Sequence, residues 1–187
     1  MARRYARAGK GARMSGILSK LERVEPMMLA AGVIALVGAA AILGAWFFQY
    51  VIGLAPCPLC LEQRVAYYLA IPLAVLVALG ASVGATRQVL RLALLAIAAA
   101  MLWNAGLGVY HSGIEWKWWP GPQECSGTPD FGSAGDLLER VKRASIVRCD
   151  QAAWRFLGLS LAGYNVLISL ALAAIALWGA LSKRSAA

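Results

Sequence analysis

Residues 27–48 have the sequence MMLAAGVIALVGAAAILGAWFF, a run of 22 residues without a charged side chain. An α-helix of this length is roughly 33 Å long, which is enough to cross the hydrocarbon layer of a membrane. Three further charge-free stretches, at residues 65–83, 92–110 and 156–181, are also long enough to span a bilayer. The sequence therefore predicts an all-α membrane protein, a bundle of four transmembrane helices.

The composition of the chain agrees with a single membrane domain. Of its 187 residues, 60% are hydrophobic and only 14% are charged, which is typical of membrane proteins. We expect a basic tail at residues 1–26 and a four-helix membrane domain at residues 27–187. The first apolar stretch is too long for a cleaved signal peptide and ends in Trp46-Phe47-Phe48 rather than in small residues, so we expect it to remain. The basic tail also fits an organellar transit peptide in composition, and this alternative stays open.

The distribution of charge predicts the orientation of the chain in the membrane. Residues 1–26 carry +5 (seven basic and two acidic side chains), and residues 87–91 and 183–184 carry +2 each, which accounts for the net charge of +9. Residues 49–60 are uncharged, and residues 111–155 carry six basic and six acidic side chains. Because cytoplasmic segments are rich in Lys and Arg, both termini are predicted to be cytoplasmic and the two neutral loops to face the other side. The basic excess is thus explained by topology, and the predicted partner is the lipid bilayer rather than a nucleic acid.

All four cysteines, Cys57, Cys60, Cys125 and Cys149, lie in these two outer loops. Disulfides form and persist on the oxidising, non-cytoplasmic side of a bacterial membrane, so this placement predicts disulfide chemistry. The longer loop is also expected to contain a short amphipathic helix at residues 133–147 that lies on the membrane surface.

The motif Cys57-Pro58-Leu59-Cys60 stands just ahead of the second predicted span. A cysteine at the start of a helix lies near unpaired backbone amides and the positive end of the helix dipole, which stabilise a thiolate. If the helix has begun by Cys60, then Arg64, four residues later, lies on the same face and stabilises the anion further. A thiolate attacks disulfides, and two cysteines at this spacing can close into a disulfide and open again. The motif therefore predicts a redox-active pair.

Spacing alone leaves other interpretations of these residues open. The motif could form an inert bridge, or a zinc cluster of four thiolates with Cys125 and Cys149, although those two are 24 residues apart and form no second Cys-x-x-Cys. We therefore predict no metal site. Arg64 could extend from the helix end to the lipid headgroups, and His111, the only histidine, could be an ordinary interfacial residue.

Several motifs occur in a fixed order along the chain. They are Pro56-Cys57-Pro58-Leu59-Cys60 followed by Arg64, Tyr110-His111, Trp119-Pro120-Gly121-Pro122 leading to Cys125, and Cys149 followed by Trp154-Arg155-Phe156-Leu157-Gly158-Leu159. In this combination the chain resembles the disulfide bond formation protein B (DsbB) family, over nearly everything from the first span to the fourth. One detail differs, because family members often have an acidic residue immediately before the arginine, whereas Gln63 stands there and the acidic residue is Glu62.

The resemblance implies a four-helix bundle in the bacterial inner membrane with periplasmic outer loops. It also implies a thiol oxidase that reoxidises a soluble, thioredoxin-like dithiol oxidase of the DsbA type and passes the electrons to a quinone, ubiquinone or menaquinone. By the same resemblance, Cys125 receives the attack of the partner's thiolate. Cys149 then resolves the mixed disulfide and passes the electrons on through Cys57, by an interloop Cys57–Cys149 bond.

The resemblance also assigns residues to the quinone site. Cys60 is implied to be the thiol next to the quinone ring, Arg64 to hold its thiolate and polarise a quinone carbonyl, and His111 to line the same pocket. A related chemistry, the vitamin K epoxide reductase type, has its quinone-proximal Cys-x-x-Cys near the start of the last bundle helix, whereas here the motif opens the second. A structural membrane protein whose four cysteines form static bridges is the alternative from another class.

Overall fold

The computed structural model of the protein describes residues 26–122 and 149–182. Within these ranges the helices are α1 (Pro26–Tyr50), α2 (Pro58–Ser82), α3 (Arg87–Glu115) and α4 (Leu161–Leu181). All four are long and apolar enough to cross a membrane. The predicted four-helix membrane fold is thus confirmed. The basic tail up to residue 25 and the amphipathic helix predicted at residues 133–147 lie outside the described residues.

Helix α2 begins at the redox motif itself. Cys57 is its N-cap residue, and the Cys57 Sγ accepts a hydrogen bond from the backbone N–H of Cys60 at 3.2 Å. Pro58 is in the first turn, where its missing N–H has no helical partner to lose and its fixed φ favours the helix. The charge-free stretch at residues 65–83 did not include these first turns, because two charged residues precede it. The Cys57-Pro58-Leu59-Cys60 motif therefore forms the cap and the first turn of the helix rather than a loop ahead of it.

Two other helix boundaries differ from the charge-free stretches. Helix α3 extends past His111 to Glu115, so the histidine lies inside a helix rather than in the outer loop. Helix α4 begins only at Leu161, because the residues before it form a small antiparallel hairpin of β1 (Arg155–Phe156) and β2 (Leu159–Ser160). The fourth membrane helix is therefore preceded by a hairpin, and it begins later than the charge-free stretch at residues 156–181 predicts.

Local chemistry explains how the hairpin leads into α4. The turn of the hairpin contains Gly158 with a φ of +83°, a left-handed conformation that glycine adopts without a steric penalty. Ser160 then caps the helix, since its hydroxyl oxygen accepts a hydrogen bond from the backbone N–H of Gly163 at 3.2 Å. The start of α4 is therefore fixed by two adjacent sequence signals.

Small residues allow the helices to approach closely. A methyl group added to Gly179 on α4 would lie 2.6 Å from the Cβ of Ala30 on α1 and 3.2 Å from Leu94 on α3. A methyl group added to Gly108 on α3 would lie 2.7 Å from Val166 on α4. Membrane helices associate largely through such close van der Waals packing, because lipid tails are as apolar as the side chains they meet. Many large apolar side chains are correspondingly exposed on the outer faces of the bundle, where they can contact lipid.

Candidate functional site

The two cysteines of the redox motif lie side by side at the start of α2. Their Sγ atoms are 2.6 Å apart and share a hydrogen bond, and both are free thiols. Cys57 is buried in a small cluster with Leu59, Ile114 and Cys149, and Cys60 packs against this cluster. Cys149 is disulfide-bonded, and its partner is neither Cys57 nor Cys60. The fold therefore brings a disulfide cysteine of the long loop next to the redox pair.

A polar contact holds the region of Cys149 against the end of α3. Lys117, just beyond that helix, donates a hydrogen bond from Nζ to Oδ2 of Asp150 at 2.5 Å. Lys117 is well exposed, so this ion pair contributes orientation more than stability. Cys125, the remaining predicted site cysteine, lies outside the described residues.

His111 on α3 approaches the same pair of thiols. Its Nε2 lies 3.7 Å from the Cys57 Sγ and 3.8 Å from Oε1 of Glu115, one turn later on the same helix. Its Nδ1 lies 3.0 Å from the side-chain Nε2 of Gln63 on α2. The ring also has a hydrogen bond with the backbone of Cys149. His111, Gln63 and Glu115 are all buried, so the histidine is enclosed beside Cys57 rather than exposed at a membrane interface.

Beyond the histidine, polar side chains form a network across α2, α3 and α4. Asn165 donates from Nδ2 to Oε1 of Gln63 at 2.8 Å, and Tyr67 donates from Oη to Oδ1 of Asn165 at 2.7 Å. Further into the bundle, Asn104 donates from Nδ2 to Oγ of Ser169 at 2.9 Å. None of these residues was among the predicted site residues. The available signal was an amide side chain inside an apolar span, at Asn104 and Asn165, because polar groups persist inside a membrane only when they are paired and commonly mark functional sites.

A cavity of about 450 Å³ opens beside the redox pair, between α1, α2 and α4. The predicted site residues Cys60, Arg64 and His111 all line it, and most of the other lining side chains are apolar. Arg64 donates a hydrogen bond from Nη1 to Oε1 of Gln49 at 2.6 Å, which ties its guanidinium to α1. A largely apolar cavity with a few convergent polar groups is the usual form of a small-molecule site.

Aromatic side chains flank this cavity between α1 and the hairpin. The ring of Phe48 lies 5.1 Å from that of Trp154, and Trp154 stacks on Phe156 with a centroid distance of 5.8 Å and an interplanar angle of 7°. Tyr164 donates from Oη to the carbonyl oxygen of Phe156 at 3.1 Å. All four residues line the cavity, so one side of it is a wall of flat rings, which we call the aromatic rim.

The two sulfurs of the redox pair differ in their electrostatic surroundings. The hydrogen bond with Cys60, burial and repulsion by a charge on Cys60 all raise the pKa of the Cys57 thiol. The negative charge of the pair therefore belongs on Cys60. That residue lies in the first turn of α2, at the positive end of the helix dipole, and Arg64 attracts it electrostatically.

The cysteine sulfurs also test the zinc cluster that the sequence left open. A zinc cluster of four thiolates does not fit this structure, because Cys149 is disulfide-bonded and a zinc ligand must be a thiolate. The sulfurs of Cys57 and Cys60 and a ring nitrogen of His111 nevertheless lie within 4.8 Å of one another. Three such donors are close enough to ligate one soft metal ion.

Similarity to known proteins covers the part of the chain that contains this site. A protein-family profile described as disulfide bond formation protein DsbB matches residues 28–179. The chain belongs to the DsbB family. Proteins named Disulfide bond formation protein B from Albidiferax ferrireducens and Psychrobacter sp. are each 30% identical to it, over 151 residues (74% of this chain, 80% of the relative) and 152 residues (75% and 84%). The protein of that name from Marinobacter nauticus is 28% identical over 162 residues, which is 82% of this chain and 92% of the relative.

Membership of the DsbB family confirms the resemblance predicted from the sequence motifs. It makes this chain a multi-pass bacterial membrane protein of disulfide bond formation, with disulfide oxidoreductase activity. The DsbB match runs from the first helix into the fourth, so the redox pair, His111 and the cavity all fall within it.

Proposed function

We propose that this DsbB-family protein is a quinone-dependent thiol oxidase that reoxidises a periplasmic, thioredoxin-like dithiol oxidase of the DsbA type. The observation that carries the proposal is the double placement of the redox pair. Cys60 lines an apolar cavity together with Arg64, while Cys57 packs beside the disulfide-bonded Cys149. One thiol of the pair is thus next to a site for a membrane ligand, and the other is next to a disulfide of the long loop. Static bridges would require neither neighbour.

The proposed relay moves two electrons through four cysteines by disulfide exchange. The partner's thiolate attacks Cys125 and forms a mixed disulfide, and Cys149 leaves as a thiolate. Cys149 attacks Cys57 of the oxidised pair, forms a Cys57–Cys149 disulfide and releases Cys60 as a thiolate. The partner's second thiol, rather than Cys149 as the family resemblance implied, resolves the mixed disulfide, so the partner leaves oxidised. The freed Cys125 thiolate then attacks Cys149 and releases Cys57.

The state of the described cysteines corresponds to the end of this sequence. Cys57 and Cys60 are free thiols, and Cys149 is disulfide-bonded. In the relay, the pair holds the partner's two electrons at this point, and its sulfurs are close enough to close into a disulfide when the electrons leave.

The cavity has the features that a quinone requires. Its volume of about 450 Å³, its apolar lining and its aromatic rim suit a flat ring with an apolar tail, ubiquinone or menaquinone. A bound quinone would accept two electrons and two protons. Arg64 would hold it by donating to a carbonyl oxygen and would balance the charge of the Cys60 thiolate, and His111 would line the same site. Cys57 and Cys60 return to a disulfide in this step.

The proposed orientation places the redox pair on the periplasmic face of the inner membrane. Cys57 precedes the N-terminus of α2 and Arg87 follows its C-terminus, so the membrane that α2 crosses separates the two residues. Because Arg87 and Arg91 lie in the first two turns of α3, next to the end of α2, the positive-inside rule assigns that end to the cytoplasm. Both chain termini lie on that side in a four-helix bundle, and the cysteines lie on the other.

The proposed function is tested by quinone-dependent oxidation of a reduced thioredoxin-like dithiol protein, with purified protein in detergent and a soluble short-chain quinone. We expect turnover by the natural protein and none above background for Cys60→Ser. Glu62→Gln, at an exposed position in the next turn, is the matched control and should turn over normally. Quinone reduction that survives Cys60→Ser would contradict the relay. Cysteines that stay oxidised when the dithiol is supplied and quinone is withheld would indicate static bridges instead.

A further inference from the structure

The polar side chains next to His111 form hydrogen bonds with a definite direction. Tyr67 donates from Oη to Oδ1 of Asn165 at 2.7 Å, and Asn104 donates from Nδ2 to the same oxygen at 3.4 Å. The oxygen of the Asn165 amide therefore faces these donors, and its Nδ2 donates on to Oε1 of Gln63 at 2.8 Å. The remaining polar atom of the Gln63 amide is its Nε2, which faces Nδ1 of His111 at 3.0 Å.

This direction determines where the histidine carries its proton. An amide NH₂ group can only donate, so Nδ1 of His111 must accept with its lone pair. A neutral imidazole then has its N–H at Nε2. Nε2 in turn faces the Cys57 Sγ at 3.7 Å and Oε1 of Glu115 at 3.8 Å, and the ring also has a hydrogen bond with the backbone of Cys149. The network thus places an N–H group within hydrogen-bonding distance of the sulfur of Cys57.

We propose that Gln63 is a positioning residue that fixes His111 in its Nε2–H tautomer, and that His111 uses this N–H to stabilise Cys57 as a thiolate during disulfide exchange. The proposal rests on the relay described above and assigns His111 a role at Cys57 in addition to lining the cavity. In the last exchange, the Cys125 thiolate attacks Cys149, the Cys57–Cys149 bond breaks, and its electron pair leaves on the Cys57 Sγ. The Nε2–H group donates a hydrogen bond to this new thiolate, and no proton is lost from the ring.

The charges around Cys57 explain why such a donor is needed. Cys60 on α2 and Glu115 on α3 are both groups whose anionic forms oppose a second negative charge at Cys57. Arg64 interacts electrostatically with Cys60 and donates to Gln49, so its charge is used elsewhere in the site. A thiol leaves faster when its thiolate is stabilised, so a hydrogen bond to Cys57 accelerates its release.

The first test reads the protonation of the ring directly. His111 is the only histidine of the chain, so ¹⁵N-histidine labelling of protein purified with a histidine-free affinity tag gives one ring to assign by nitrogen NMR. We expect Nε2 to be protonated and Nδ1 to be bare in the natural protein. Gln63→Glu keeps an acceptor for Asn165 but presents a carboxylate to Nδ1, so we expect Nδ1 to become protonated. A protonated Nδ1 in the natural protein, or a bare Nδ1 in Gln63→Glu, would overturn the proposal.

The second test measures the effect on Cys57 in a Cys60→Ser protein, where Cys57 is the free thiol next to His111. The ultraviolet absorbance of the thiolate gives its titration midpoint. His111→Leu should raise this midpoint by about one pH unit or more, the loss expected for one hydrogen bond to a charged group. His111→Gln can place an amide N–H near the position of Nε2 and should recover most of the shift.

The outcomes of the second test separate chemistry from packing. An unchanged midpoint in His111→Leu, or an equal shift in His111→Leu and His111→Gln, would overturn the role of the N–H group. Neither test contains a quinone or a dithiol partner. The tautomer and the thiolate midpoint can therefore fail their tests while quinone-dependent turnover remains, and the reverse also holds.

Discussion

Replacing Arg64 with methionine removes the cation from the proposed quinone site and keeps an unbranched side chain. Arg64 is half-buried, lines the cavity and donates to Oε1 of Gln49 at 2.6 Å, so α1 holds its guanidinium in a fixed place. A hydrogen bond from a charged group contributes roughly 1.5–3 kcal/mol, which corresponds to about a tenfold to 150-fold change in affinity. We expect Arg64→Met to raise the KM for quinone by a factor in this range.

The assay is the initial rate of dithiol oxidation at saturating reduced partner and varied short-chain quinone. Arg91→Met makes the same substitution at an exposed position beyond the far end of α2 and should leave the KM for quinone unchanged. Gln49→Leu keeps the charge of Arg64 but removes its hydrogen-bond partner, so we expect a smaller increase in KM than for Arg64→Met. If the KM for quinone of Arg64→Met equals that of the natural protein, this reasoning is refuted and Arg64 is left as an anchor in the lipid headgroups.

Helix packing, metal sensitivity and the aromatic rim give three further predictions. Gly179→Ala should lower the melting temperature in detergent, because its methyl group would lie 2.6 Å from a neighbour on α1 and overpacking costs roughly 1–3 kcal/mol. Gly32→Ala, whose methyl group would meet no atom within 4 Å, should leave the melting temperature unchanged, and equal melting temperatures of the two variants would contradict the close approach at Gly179. Zn²⁺ should inhibit the reduced protein reversibly, because the redox pair and His111 offer three donor atoms within 4.8 Å of one another. Turnover that is insensitive to zinc and to chelators would exclude a zinc site at these three residues. Trp154→Ala should raise the KM for quinone roughly twofold to tenfold, since one ring of the rim is lost, and an unchanged KM would remove the rim from the binding site.

The four membrane helices could be predicted because a bilayer imposes its thickness directly on the sequence. A long run without charges is visible with no knowledge of tertiary contacts. The helix ends were less predictable, because they depend on caps and turns rather than on hydrophobicity. Helix α2 is capped by Cys57 and begins at Pro58, before the charged residues that interrupt the apolar run. The hairpin at residues 155–160 delays the start of α4 although its sequence contains mostly apolar residues.

The site was predictable where its residues share one helix. Cys60 and Arg64 are four residues apart on α2, and both line the cavity. The hydrogen-bond network that reaches His111 could not be found in this way, because Gln63 and Asn165 belong to other helices. Periodicity indicates which residues share a face of one helix, but it does not indicate which faces meet.

The cap of α2 and the redox centre share one atom. The Cys57 Sγ accepts the hydrogen bond from the Cys60 backbone N–H that closes the first turn, and in the proposed relay it is also the sulfur that changes partners. N-caps contribute roughly 0.5–2 kcal/mol to a helix, so each change in the bonding of this sulfur alters the local unfolding equilibrium of the turn that carries Cys60. If the relay operates as proposed, we therefore expect the stability of the first turn of α2 to change with the oxidation state of the protein. Hydrogen–deuterium exchange at the Cys60 backbone amide would measure this local opening without labelling either thiol.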